Sequence, residues 1–130
     1  MAGGANARAR AYCGGIDLNF STEKLLANVN RYLERGFNAV KTKAGQDNLA
    51  EDFERVRAVR EPIGPDTSFM VDANYAIDVE RAIAAANAFN PYNLVWFEVS
   101  IITDDYDGYA EITRGTGIPP AMGENLHTIH

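Results

Sequence analysis

Cysteine is almost missing from this chain. Cys13 is the only one among 130 residues, so no disulfide can form within the chain and no thiolate cluster can hold a metal. It falls in a strand-like stretch, where a small buried residue is a better reading than a nucleophile. Histidine is scarce as well: His127 and His130 both sit near the C-terminus, where a solvated tail is expected rather than a pair of ligands. Positive charge is short, with 12 Lys and Arg against 18 Asp and Glu. The resulting net charge of −6 argues against a nucleic-acid partner held by phosphate contacts. No apolar run approaches the length that crosses a bilayer. Residues 1–10 are rich in Ala, Gly and Arg, and no apolar stretch of a secretory signal follows them. No membrane partner is therefore expected, and a cytoplasmic, reducing setting is the default.

What is present is the length and composition of one globular domain with a real core, spanning residues 1–130 without a linker. Short apolar runs alternate with amphipathic stretches. Strands are expected at residues 8–13, 39–43, 68–72, 94–98 and 121–124. The first helix follows Ser21 as N-cap, with Glu23 in its first turn and Leu25, Leu26, Val29 and Leu33 at helical spacing up to Gly36. The second covers residues 49–61, with Leu49, Phe53, Val56 and Val59 inward and Pro62 and Gly64-Pro65 as its stop. The third starts at Asp78, turns Val79, Ala82, Ile83 and Ala86 inward, and ends at Asn90-Pro91. The fourth covers residues 104–113 and is weakened by Gly108. The order βαβαβαβαβ implies an α/β fold with a parallel sheet and right-handed crossovers.

Three carboxylates recur along this pattern. Asp72, Glu98 and Glu124 follow apolar runs, with 26 residues from the first to the second and 26 again to the third. Lys43 ends the preceding strand, 29 residues before Asp72. The interval suits one strand-loop-helix-loop unit, and side chains at successive strand ends are how such repeats build a site at one face. Three acidic oxygens converging on a point suggest a hard divalent cation, Mg²⁺ before Ca²⁺ or Mn²⁺. By strand alternation Lys41 and Lys43 share a face with Met70 and Asp72, and with Trp96 and Glu98. Phe69, Val71, Val95 and Phe97 face the other way, under the helices. Trp96 is a core residue more readily than a substrate platform.

That set has a chemistry. A cation held by Asp72, Glu98 and Glu124 makes the proton α to a bound carboxylate more acidic and stabilises the enediolate that forms. Two neighbouring ammonium groups repel, which lowers a lysine pKa towards that of a usable base. Lys43 would take the proton, and Lys41 would tune it and balance the developing charge. Asn74 would orient the ligands or the substrate. Each residue alone has a plainer reading: a turn or cap for Asp72, an edge-strand lysine face for Lys41 and Lys43, a surface loop for Glu124. The combination in register favours the site.

The strings Ala39-Val40-Lys41-Thr42-Lys43-Ala44-Gly45, Val71-Asp72-Ala73-Asn74, Trp96-Phe97-Glu98 and Gly123-Glu124-Asn125 resemble the barrel domain of the enolase superfamily, in its mandelate racemase and muconate lactonizing branch. The resemblance covers nearly the whole chain. It implies a partial (β/α) barrel of about five strands and four helices. It also implies Mg²⁺ at Asp72, Glu98 and Glu124, a Lys41-Lys43 base pair, and Asn74 and Asn125 against the substrate or the ligands. Its partner would be a small carboxylate such as an acid sugar, and its reaction dehydration or racemisation. Two departures stand out. Val99-Ser100 replace the acidic residue and proline usual after the second ligand. The later barrel strands, with their opposite acid or base, and the N-terminal capping domain are not represented. A fragment that is inactive by itself and prone to self-association through open sheet edges is the expectation. Two alternatives remain, a complete flavodoxin-like or receiver-like binding module and a non-catalytic metal-binding fragment.

Overall fold

A short polar side chain captures a free amide at the start of each helix. Ser21 accepts from the Lys24 amide at 3.3 Å and opens α1, Thr22–Glu34, which stops where Gly36 turns left-handed at φ 85°. Asn48 accepts from Ala50 at 3.0 Å and opens α2, Leu49–Ile63. Asp78 accepts from Arg81 at 2.8 Å and opens α3, Val79–Phe89, which runs on into a 3₁₀ turn, Asn90–Tyr92. Asp105 accepts from Gly108 at 2.8 Å and opens α4, Tyr106–Gly115. The computed structural model describes residues 8–14, 18–98 and 100–126.

The strands are β1, Ala39–Lys43, β2, Ser68–Asp72, β3, Phe97–Glu98, and β4, Pro120–Ala121, all parallel and in the order β1-β2-β3-β4. Helices pack in the same sequence, α1 on α2, α2 on α3 and α3 on α4. Val40, Phe69, Val71 and Phe97 leave the sheet on the helix side and meet Leu25, Val29, Val56, Val59, Ala86 and Phe89 in the core. Strands and helices that advance one place at a time form the wall of a barrel. A flavodoxin-like sheet would have the order 2-1-3-4-5. Among the described residues no helix is long and apolar enough to cross a membrane.

Four expectations need correction. The first strand is reduced to one parallel bridge, Cys13 to Val40, with the Cys13 amide 3.0 Å from the Ala39 carbonyl. Residues 8–12 are exposed, so no burial holds that edge in longer pairing. Cys13 itself is buried, as expected, and burial pushes its thiol pKa up. Pro62 does not end α2: it sits in the last turn, where its ring suits a helical φ, and Gly64 at φ 71° makes the stop. Val95 is 43% exposed rather than packed under helices, because Asn93 at φ 49° and a bend at Val95 precede the two-residue β3 and break the alternation. Leu94 is buried in its place. Gly108 does not merely weaken α4: a Cβ there would lie 2.4 Å from Asp105 Oδ2 and 2.7 Å from Ile101 Cδ1, so the glycine lets the cap and the preceding loop close in.

Candidate metal and proton-transfer site

Register builds the site. Lys43 stands opposite Asp72, Asp72 opposite Glu98, and Glu98 opposite Ala121. One row therefore crosses the sheet at the carboxyl ends of its strands, the end where βα folds place their chemistry. Glu124 is not in the row. It lies three residues past Ala121, so its equal spacing in sequence is not an equal position in the sheet. It still lines the same cleft of about 560 Å³, together with Tyr12, Gly14, Lys41, Lys43, Asp72, Asn74 and Glu98. Gly14 is needed there, since a Cβ would come within 2.9 Å of the Lys41 carbonyl oxygen.

Inside the cleft the acids and amines engage one another. Lys43 Nζ lies 2.7 Å from Asp72 Oδ2 and 3.3 Å from Asn74 Oδ1. Lys41 Nζ lies 2.7 Å from Glu98 Oε1 and 3.3 Å from Asp72 Oδ2. Asp72 is 2% exposed and also accepts from the Asn74 amide at 3.0 Å. Lys41 is held in its charged form by the acids around it. Burial pushes its pKa down, but the hydrogen bond and charge of Glu98 and the charge of Asp72 outweigh this and hold the amine well above the ordinary lysine range. Lys41 is thus a fixed positive charge at neutral pH.

Among the described residues no three Asp, Glu, His or Cys side chains are gathered closely enough to hold a metal as they stand. The donor set nevertheless fits Mg²⁺: its oxygens are hard carboxylates, and a positive group, the Lys41 ammonium, already rests between Asp72 and Glu98. Asn74 and Tyr75 follow Asp72 at φ 48° and 65°, a conformation that residues other than glycine adopt sparingly. Asn125 is exposed and its side-chain amide donates to the Tyr75 hydroxyl, tying this turn to the segment that carries Glu124. His127 and His130 lie outside the described residues.

Sequence reasoning missed three participants. Trp96 was placed on the correct face but given no role, and its indole N–H donates to Glu98 Oε2 at 2.8 Å. Tyr12 packs edge-on against Trp96 at 5.8 Å and lies under the Lys41 ammonium at 5.2 Å. Asp52, buried on α2, receives the Gly45 and Gln46 amides at 3.0 and 3.2 Å and so fixes the turn that follows Lys43. Burial pushes the Asp52 pKa up, against the lowering by those amides and by the Arg81 and Arg55 charges. The available signal for Asp52 was an acid on the inward face of a helix, in step with Val56 and Val59.

Known proteins share this fold. Residues 24–130 match the family model described as enolase C-terminal domain-like. The chain is 44% identical over 128 residues to a 3,6-anhydro-alpha-L-galactonate cycloisomerase of Streptomyces coelicolor, covering 98% of this chain and 36% of that protein. A racemase structure from Streptomyces coelicolor with bound magnesium matches with a TM-score of 0.88 at 45% identity, over 91% of this chain and 33% of the other. An L-talarate dehydratase structure from Polaromonas, complexed with Mg and L-glucarate, matches with a TM-score of 0.81 at 35% identity, over 88% and 32%. The chain spans about a third of the length of these relatives.

Proposed function

Because this chain belongs to the enolase C-terminal domain-like family, we propose that it supplies the cation-binding and proton-abstracting side of an enzyme acting on an acid sugar. The reaction class is removal of the proton α to a carboxylate, followed by dehydration or by reprotonation in a racemisation. Relatives whose names include a dehydratase, a racemase and a cycloisomerase support that class. The observation that carries it is the row of Lys43, Asp72 and Glu98 across three neighbouring strand ends, with Lys41 and Glu124 in the same cleft.

Asp72, Glu98 and Glu124 would hold Mg²⁺, which when bound supplies the positive charge that acidifies the α-proton of a substrate carboxylate. Lys43 Nζ, as the neutral amine once its own proton has left to solvent, takes that proton and becomes the ammonium; Asp72 and Asn74 fix its place. Lys41 keeps its charge at neutral pH and offsets the negative charge that develops. Asn74 and Asn125 border the substrate from the turns after β2 and β4. The partner is a small carboxylate, not a nucleic acid or a membrane, in a cytoplasmic setting.

The test is deuterium uptake from solvent at the α-carbon of glucarate and related acid sugars, in Mg²⁺, with wild type and Lys43→Ala. Uptake that depends on Lys43 is expected of a protein that closes the barrel around this unit. Undiminished uptake in Lys43→Ala, or none with any acid sugar, contradicts the reading. A second reading is favoured by the chain's span of about a third of its relatives: alone, it binds the cation without turnover. The outermost sheet positions among the described residues, the Cys13 bridge and β4, then support self-association, which sedimentation velocity measures.

A further inference from the structure

We propose that Trp96 is a positioning residue of the cation site, fixing one oxygen of Glu98 and leaving the other as the oxygen this glutamate presents. The inference rests on Glu98 being a ligand of the divalent ion. Both oxygens of Glu98 are engaged: Oε2 receives the Trp96 indole N–H at 2.8 Å, and Oε1 lies 2.7 Å from the Lys41 ammonium. The two donors differ in kind. Lys41 carries a positive charge, which an arriving cation repels from Oε1. The indole N–H is neutral, donates only, and has no reason to leave Oε2. It also cannot swing freely, since the ring stands edge-on to Tyr12 at 5.8 Å and 78°. Trp96 immediately precedes the two-residue β3, and its indole reaches past Phe97 to the carboxylate two residues on.

Donors of this kind that orient a ligand commonly change metal affinity by about ten- to a hundredfold when lost. Trp96 is also the only tryptophan in the chain, so it reports on itself. The experiment titrates Mn²⁺ into this chain by calorimetry and follows Trp96 emission in parallel, with Glu98→Gln and Trp96→Phe as variants. Phe keeps an aromatic ring on the Tyr12 side but loses the N–H together with part of the ring system. As a second variant, tryptophan is replaced by its benzothienyl analogue, which keeps the bicyclic shape without the N–H. Circular dichroism checks that each variant folds. The expected result is one Mn²⁺ bound by wild type with a change in Trp96 emission that tracks binding, loss of both in Glu98→Gln, and about tenfold or greater weakening in both variants lacking the N–H. Wild-type affinity in a folded variant without the N–H overturns the role of Trp96 and leaves the cation site intact. No Mn²⁺ binding by wild type overturns both.

Discussion

Substituting Asp72 by Asn removes one negative charge from the point where two ammonium groups meet. Asp72 is 2% exposed and holds Lys43 at 2.7 Å, Lys41 at 3.3 Å and the Asn74 amide at 3.0 Å. Asparagine keeps an acceptor for the amide, but its own NH₂ cannot face ammonium groups. Breaking a buried ion pair costs about 3–5 kcal/mol. Glu98 still balances Lys41, and the lysine side chains keep some solvent contact at 16% and 14%. The lower end, about 3 kcal/mol, is therefore expected, or roughly 10 °C in Tm for a domain of this size. Lys43→Met should cost less, about 1 kcal/mol, because Lys41 remains beside Asp72. Removing both lysines strands the carboxylate, so Lys41→Met with Lys43→Met should exceed the sum of the single effects by about 1–3 kcal/mol. Urea unfolding with chelator present, read by circular dichroism and Trp96 emission, measures all four variants. An Asp72→Asn change within about 0.5 kcal/mol of wild type, the ordinary range for an unremarkable surface substitution, would refute the reasoning. Strict additivity of the lysine pair would also refute it.

Two further outcomes follow from the same geometry. Gly45→Ala should destabilise by about 2 kcal/mol or more, since Gly45 sits at φ 107° and a Cβ there would meet Ala76 Cβ at 2.7 Å; urea midpoints check it. Lys41 has a raised amine pKa in the folded chain, so its contribution is whole below about pH 10.4, the unfolded value, and fades as pH climbs above that. Thermal melts from pH 8 to 11.5 should show the wild-type advantage over Lys41→Met shrinking only at the alkaline end, and a constant difference would contradict the assignment.

The parts that were legible in the sequence are those governed by local periodicity. Ser21 and Asp78 mark their helix starts because a cap needs only a side-chain oxygen near the first turn. Lys43, Asp72 and Glu98 could be aligned because each ends a strand, and strand ends of successive βα units fall side by side. Glu124 shows the limit. Its interval counted residues, whereas register counts strand positions, and the two-residue β4 places Ala121 opposite Glu98 instead. Val95 failed because a bend resets alternation, which the residue types do not record. The firmly held charge of Lys41 was not legible for another reason: the attraction comes from Glu98, 57 residues away. The Trp96 bond and the Asp52 turn likewise depend on side-chain direction and on contacts between elements.

We propose that Asp72, Glu98 and Glu124 together hold one divalent ion beside Lys43. Crystals grown with Mn²⁺ and measured for anomalous scattering test it directly. A single strong anomalous peak in the cleft is expected, bonded to oxygens of all three carboxylates, with Lys41 withdrawn from Glu98. A peak elsewhere on the chain, or none in the cleft at millimolar Mn²⁺, would contradict it.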